Sequence, residues 1–560
     1  MKVLTAAEMR DVDRLTTERH GIPSLQLMET AGTKAANAFV ARMREMGLEP
    51  PHTTCVLCGK GNNGGDGFVI ARHMRSRAQT VRVYLFAVMD ELRGDAEINF
   101  KRWRELGGEV ISIPDEKSWE GAWPEIAKSD VIVDAIFGTG FRGVASGAVG
   151  RAIDDLNQLS GDATLPRPAL ILAVDTPSGL PSDSDAAEGP VLKAHHTVTF
   201  TAPKVGQLIS RDSAAAGSLH VVGIGSPAVL VEEIGKGTLR WSEPTEFANL
   251  PLVRKSDGHK GLYGNILLVA GSIGKSGAAV MSGSAALWSG AGLVTVATPD
   301  VVLSTVAAAH AEYMTEPLVS TDAGTVSNRN LIDRPPVPRS AKPEEINAFG
   351  KGFRVRFAAI VAGKTVLAVG PGLGMHHETQ EFVRSIVTRT DLPIILDADG
   401  LNAFARRSDE LCDRQSKFLA ITPHPGEMAR LLGNSVKEVE ADRVKTATDA
   451  AKRWNAHVIL KGSHTIVAAP DGRIFVNTTG NAGLSKGGSG DVLTGVLAAM
   501  TGQFKTDDWL QTLALGVYLH GAAAEVAARG RDLSGVVASD VARSVPQARL
   551  ELLRELQRHA

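Results

Sequence analysis
Residues 53–73 read TTCVLCGKGNNGGDGFVIARH: a short apolar strand, a turn holding five glycines, then a helix. That order is restrictive. A glycine-rich strand-to-helix turn lets backbone N–H groups approach an anion, and the helix N-terminus adds the positive end of its dipole. Gly59, Gly61 and Gly64 fit G-x-G-x-x-G in the context a dinucleotide site requires. The same glycines also satisfy a tight turn needing positive φ. The acid expected about 20 residues further on would fall near Tyr84, inside an apolar strand, and Asp90 is the nearest carboxylate. An ordinary NAD pocket fits only in part.

Around this turn, helices alternate with apolar strands. Strands are expected at 53–59, 80–88, 131–138, 169–177 and 196–202, helices at 64–77, 91–107 and 148–160, and an added helical element at 5–20 and 28–32. Such alternation means crossover connections and a mostly parallel sheet. A second series follows, with strands at 264–271, 293–299, 365–372, 392–400, 418–424, 456–462, 464–470 and 473–480 and a long helix at 491–503. The chain is therefore read as α/β, with domains at 1–225 and 247–560. Prolines and mixed charge at 226–246 read as a linker. The polar, Pro-rich segment 320–343 reads as a surface insertion.

Sixty Lys+Arg against 62 Asp+Glu leaves a net charge of -2, which excludes a chain that holds nucleic acid or an anionic membrane by charge. Three cysteines cannot form a disulfide framework, so a reducing, cytoplasmic home is expected. Cys55 and Cys58 form C-x-x-C on a strand, where alternation sends them to opposite faces. They read as buried cysteines rather than a redox or zinc pair. The longest uncharged stretch, Ser276–Pro299, is broken by glycines and reads as a buried helix, a turn and a buried strand. A homo-oligomer acting on small molecules is expected.

The chemistry-bearing residues of the first half stand at strand ends. Asn62, Asn63 and Asp66 follow the first strand, Asp134 ends the third, and Asp175 and Ser178 follow the fourth. The C-terminal ends of parallel strands line the ligand crevice. This set can surround a hard cation with oxygens, hold sugar hydroxyls or support acid–base work. Singly, each Asp after a strand is an ordinary helix cap. Lys204, in APKVG, could partner a phosphate but reads as a solvated lysine.

In the second half, TGNAGLSKGGSGDVLTG places Gly487, Gly488 and Gly490 just before a helix carrying Asp491. Successive N–H groups there can cradle a phosphoryl group. A carboxylate beside a phosphate needs a role as base or metal ligand. GSIGKSG is not a Walker A turn, because Val269 stands where its leading glycine belongs. GPGLG (370–374), DADGLN with Asp397, Asp399 and Asn402, HPGE with His424, and KGSHT (461–465) also fall at strand ends.

GKGNNGGDGFVIAR, VDAIFGTGFRG, VDTPSGL and TFTAPKVG closely resemble the NAD(P)H-hydrate epimerase family, in its order. HKGLYGNILLVAGS, GAGLVTVATP, GPGLG, LDADGLNA, TPHPGEMARLL, KGSHT and GNAGLSKGGSGDVLTG resemble the ADP/ATP-dependent NAD(P)H-hydrate dehydratase family, a ribokinase-like branch. The resemblance implies a Rossmann-like three-layer first domain and a ribokinase-like second. It implies that Asn62, Asn63, Gly64, Gly65 and Asp66, with Gly138, Thr139, Gly140, Phe141, Arg142, Gly143 and Val144, hold the hydrated dinucleotide. Asn63, Asp134 and Ser178 would take potassium, and Asp175 would contact substrate, either as an acid–base group or as a ribose anchor. In the second domain, Lys461, Gly462, Ser463, His464, Thr465 and Gly490 would hold ADP or ATP with magnesium. Ala291, Gly292, Gly372, Gly374, His424 and Asp491 would contact the hydrate, with Asp491 the base. Ala482 and Ser485 depart from the family's turn before the anion cradle. Two other classes stay open: a kinase acting on a small alcohol through the same cradle, and a first domain that serves as a protein-interaction module.

Overall fold
The computed structural model describes every residue except 49–51, 78–79, 162–168, 184–185, 332–358, 505–507 and 560. The chain divides into two compact units, Met1–Gly237 and Thr238–Ala560.

The first unit is built on seven parallel strands: β1 (Thr53–Cys58), β2 (Thr80–Leu85), β3 (Val110–Ser112), β4 (Val131–Ala135), β5 (Leu170–Val174), β6 (His196–Phe200) and β7 (Ser218–Val222). Their spatial order is β3-β2-β1-β4-β5-β6-β7. The order reverses between β1 and β4, which is where an open sheet of this kind forms its crevice. Alternating residues feed two cores. Val56, Cys58, Val83 and Val133 meet Phe39, Phe68 and Met74 of helices Ser24–Glu45 and Asn62–Arg75. Cys55, Leu57, Tyr84 and Ile132 meet Trp119, Ile126 and Ile153 on the other face. The two cysteines are thus buried on opposite faces, as alternation requires.

The second unit carries ten strands: β8 (Leu239–Trp241), β9 (Asn265–Val269), β10 (Leu293–Pro299), β11 (Met314–Leu318), β12 (Val366–Val369), β13 (Ile394–Leu396), β14 (Leu419–Ile421), β15 (His457–Leu460), β16 (Thr465–Ala468) and β17 (Ile474–Asn477). The order is β11-β10-β9-β12-β13-β14-β15-β16-β17-β8. Pairing is parallel as far as β15, and β16 runs antiparallel between β15 and β17. Helices Ser276–Trp288, Ser489–Gln503, Trp509–Ala527 and Ala538–His559 share one apolar core with alternate strand residues such as Ile266, Val294 and Ala368. The long uncharged stretch is therefore a buried helix followed by β10. Among the described residues, no helix is long and apolar enough to cross a membrane.

Three expectations change. Residues 226–246 are not a linker: Ala228–Ile234 is a helix whose Leu230 and Val231 pack with Met9, Val12 and Leu15 of helix Ala6–His20. The Glu8 carboxylate also accepts the Lys236 N–H at 2.8 Å, while β8 pairs with β17 in the second unit. Residues 320–331 hold a β-bridge and a 3-10 turn with Asn330 and Leu331 buried, and 332–343 lie outside the described residues. Strands β3, β7, β8 and β11 went unread, being short or at an edge, and β11 contains Pro317.

The close fit of the first turn has a measurable cost. A Cβ on Gly64 would stand 1.8 Å from the Gly59 carbonyl oxygen, whereas one on Gly61 meets open space. Gly64→Ala should destabilise the first unit by about 1–3 kcal/mol in urea unfolding. Gly61→Ala should leave the midpoint unmoved.

Candidate active sites
A cavity of about 800 Å³ opens at the C-terminal ends of β1, β4, β5 and β6. Asn62, Asn63 and Asp66 reach it from the turn after β1, Gly138–Arg142 from the loop after β4, Asp175 from the end of β5, and Lys204 from beyond β6. Asp175 has φ 60°, a backbone state that most residues avoid. It is pinned on all sides: its Oδ1 accepts from Lys204 Nζ at 2.7 Å and Thr199 Oγ1 at 3.0 Å, and its Oδ2 from Thr139 N at 3.2 Å. Burial alone would raise its pKa, but the Lys204 charge and these donors outweigh burial and hold the carboxyl below its ordinary value.

Lys204 corrects the solvated reading. It is 1% exposed, and its ammonium donates to Asp175, to Thr199 Oγ1 at 2.7 Å and to the Phe200 carbonyl at 3.1 Å. Its charge has nowhere else to go, so the pair forms a rigid ionic post under the cavity.

Asp134 is fully buried beneath that floor. Its Oδ1 accepts from Ser178 Oγ at 2.6 Å and its Oδ2 from Ser178 N at 2.7 Å. Burial nevertheless pushes its pKa up to about 6, against these bonds. Asn63 donates to the Phe137 carbonyl at 2.9 Å, while its own Oδ1 is buried with no partner among the described residues. An orphaned amide oxygen beside an uncompensated carboxylate is the donor set a large monovalent cation satisfies.

Not every expected residue reaches the cavity. Gly64 and Gly65 sit inside the helix packing: a Cβ on Gly65 would strike Met28. Gly143 and Val144 also lie off the lining. Conversely, helix Ala6–His20 sends Asp13 into it, which sequence reasoning missed because RDVDRL looks like a charged helix face. Asp13 is pushed up to about 6 by burial, against the Lys204 charge and with a smaller upward push from Asp175.

In the second unit, a cavity of about 760 Å³ lies at the C-terminal ends of the central strands. Lys461 Nζ donates to Asp397 Oδ1 at 2.8 Å and lies 3.6 Å from Glu427. Thr494 Oγ1 holds the other Asp397 oxygen at 2.7 Å. Gly490 lies against this pair: a Cβ there would stand in ordinary contact, 3.4 Å from Lys461 Nζ and 3.7 Å from Asp397 Oδ2. Asp491 sits in the first turn of helix Ser489–Gln503. Burial, then the Asp397 charge, push it up to about 6. His424 caps helix Pro425–Leu432, accepting from Gly426 N at 3.0 Å while Glu427 accepts from His424 N at 2.8 Å.

Lys461, Gly462, Ser463, Thr465, Gly490, His424 and Asp491 line this cavity together, and His464 does not. Gly372 and Gly374 stand at the end of β12, where Gly374 N donates to Asp399 at 2.8 Å, outside the lining. Ala291 and Gly292 also lie outside the lining. They precede β10, at the opposite edge of the sheet, where Gly292 N bonds the Tyr263 carbonyl and a Cβ on Gly292 would stand 1.8 Å from the Lys260 carbonyl oxygen. Residues before a parallel strand cannot share a crevice with residues after one. Glu427 and the buried His520 went unread; burial pushes His520 down to about 4 and its Nε2 has no partner among the described residues. At Ala482, one of the two departures from the family's turn, Asn481 holds the backbone: its Oδ1 accepts from Gly483 N at 2.9 Å.

Comparison with known proteins covers both halves. The NAD(P)H-hydrate dehydratase family matches residues 266–547, and the YjeF-related protein N-terminus family matches residues 24–206. A bifunctional NAD(P)H-hydrate repair enzyme from Moorella thermoacetica is 38% identical over 100% of this chain and 98% of its own. One from Thermofilum pendens is 35% identical over 99% and 97%, and one from Escherichia coli 34% identical over 87% and 83%.

Two expected outcomes test the electrostatics. Lys204→Met leaves Asp175 buried without its cation and should cost about 3–5 kcal/mol in urea unfolding, much of it recovered in Lys204→Met/Asp175→Asn. Asp491 binds its proton more tightly folded than unfolded, so its ionisation removes stability as pH rises from about 4 through about 6. Asp491→Asn should therefore be more stable than the parent at pH 7, by about 1–3 kcal/mol, and nearly equal at pH 4.

Proposed function
The chain belongs to the bifunctional NAD(P)H-hydrate repair enzyme family, and we propose that its two cavities divide the repair of hydrated NAD(P)H between them. The first unit interconverts the R and S epimers at C6 of the hydrate. The second dehydrates the S form at the expense of ADP or ATP. The observation that carries this is the pairing, on one chain, of an acid-lined crevice at a sheet switch point with a carboxylate set beside a glycine cradle at a helix start.

Dehydration needs a better leaving group than hydroxide, and phosphorylation supplies one. The N–H groups around Gly488–Gly490 suit the charge of a transferring phosphoryl group. Asp491, with a pKa near the working pH, suits acceptance of the hydroxyl proton. Lys461, held by Asp397 and Glu427, offers a fixed positive charge at the cradle. Thr465, Ser463 and Gly462 suit the nucleotide. Magnesium neutralises nucleotide phosphates and, with one or two carboxylates, completes its shell with water. Asp397, Glu427 and Asp491 are the carboxylates of this lining that would be available to it.

In the first unit, potassium fits the Asn63, Asp134 and Ser178 oxygens and would neutralise Asp134. Asn63 and Ser178 each bond Phe137, so these residues also fix the start of the loop that carries Thr139. Asp175, fixed as an anion by Lys204, suits a substrate hydroxyl or amide. Three cysteines, one of them an exposed thiol at position 412, suit the reducing cytoplasm.

A kinase reading differs in its product, which would be a stable phosphate ester. The test follows reduced-nicotinamide absorbance from mixed R and S hydrates with ADP or ATP. The parent chain should recover the full signal in two phases. Asp491→Asn should lose at least about 100-fold of the rate. No recovery with either nucleotide overturns the repair reading. Potassium should raise the melting temperature over sodium, and Asn63→Ala should abolish that difference.

A further inference from the structure
Among the described residues the first cavity is lined by four carboxyl groups, Asp13, Asp66, Asp95 and Asp175, but by one buried cation, and Asp13, Asp66 and Asp175 are the three whose charges act on one another. Lys204 has all three of its hydrogens engaged, on Asp175, Thr199 and Phe200, and has none left for the other two acids. The cavity's outer cations are engaged elsewhere: Arg14 with Asp11 and Glu18, Lys60 with Glu91, Arg142 with Asp183. Arg10 and Asp95 complete the charged lining. Asp13 Oδ1 is buried without a hydrogen-bond partner among the described residues.

The placement of Asp13 is built rather than incidental. Its helix is fixed by Met9, Val12 and Leu15 in the core and by a backbone bridge from Leu4 to Lys204. In that bridge Leu4 N donates to the Pro203 carbonyl at 3.0 Å and Leu4 O accepts from Val205 N at 3.2 Å. The element carrying Asp13 is thus tied to the segment carrying the cavity's one buried cation. Asp66 arrives independently, from the glycine-rich turn after β1, and is 8% exposed.

We infer that Asp13 and Asp66 carry the two proton transfers of epimerisation, Asp66 donating to the departing C6 hydroxyl and Asp13 accepting from the water that replaces it. This rests on the epimerase reading of the first unit. The C6–O bond breaks with its electron pair on oxygen, which takes the Asp66 proton and leaves as water. The N1 lone pair closes an N1=C6 bond. Water then adds to the other face of C6, the pair returns to N1, and the surplus proton of the water passes to Asp13. The return of that proton to Asp66 through water resets the site, and nothing is oxidised or reduced. The environments suit the roles. Burial first, then the charges of Asp175 and Asp13, hold Asp66 well above the carboxylate range, while Asp13 lies at about 6. The upward shift of Asp66 favours its holding a proton, and Asp13 can accept one near neutral pH.

The test uses the full chain, purified R hydrate and excess ADP, with S hydrate as an internal control. Asp13→Asn and Asp66→Asn should each slow R consumption by at least about 100-fold while S consumption stays within about twofold. In oxygen-18 water, the parent should exchange label into the C6 hydroxyl at the rate of epimerisation, a readout that needs no variant. Asp13→Asn should also flatten the acid limb of the R-consumption pH profile, which loss of packing alone would not do, and Asp13→Glu should restore part of the rate. R consumption by Asp13→Asn within about threefold of the parent, or epimerisation without label exchange, overturns the assignment. A parent chain that consumes S but never R overturns the epimerase reading itself.

Discussion

In each unit one lysine under the cavity is bound to one strand-end aspartate, and the other carboxyl groups of the cavity feel that pair on top of their own burial. Lys204 holds Asp175 and Lys461 holds Asp397, at 2.7 and 2.8 Å. A low-dielectric floor cannot carry several ionised acids on one ammonium. The residual field falls on the neighbours. Burial pushes both Asp13 and Asp491 up to about 6. The two pairs then act with opposite balance: at Asp13 the Lys204 charge opposes burial more strongly than Asp175 supports it, whereas at Asp491 the Asp397 charge outweighs Lys461. Each unit nevertheless sets an ion pair beside a separate group able to exchange a proton near neutral pH.

The device depends on topology. Parallel strands deliver their C-terminal ends to one edge, so residues far apart in the chain converge there. Asp134 and Ser178 stand 44 positions apart and meet at 2.6 Å. Asp397 and Thr494 stand 97 apart and meet at 2.7 Å. That convergence follows from strand position, which is why the placement of Asp134, Asp175, Ser178, His424 and Asp491 around the two crevices was legible from the chain. Strand alternation was equally legible, and it placed Cys55 and Cys58 on opposite faces.

The unread parts share a physical cause. Lys204 looks like any lysine after a strand, and what buries it is a carboxylate 29 residues away. Asp13 lies on a helix whose polar face resembles a solvated one until the fold seats it over β6 and the loop beyond. Glu427 belongs to the capping box of His424, and its proximity to Lys461 crosses from one strand end to the next. Ala291 and Gly292 lie outside the lining for the opposite reason. A small-residue turn looks the same at either end of a strand, and only the direction of β10 sends it away from the crevice. Gly64 and Gly65 look like ligand-binding glycines, yet they lie off the lining, where a Cβ would meet the Gly59 carbonyl and the Met28 side chain respectively.

The segment 226–237 has a practical meaning for anyone dividing this chain into its halves. It reads as a spacer, yet it belongs to the first half as a structural wedge: Leu230 and Val231 complete the apolar seat of helix Ala6–His20, and Lys236 completes the shell of Glu8. A first half ended at Gly225 would lose that wedge and free the helix that carries Asp13. A second half begun after Trp241 would lose β8, and with it the strand that covers β17. Severing the peptide between Gly237 and Leu239 leaves both seams whole. Inactivity in a fragment cut elsewhere would report a missing wedge rather than dependence of one half on the other.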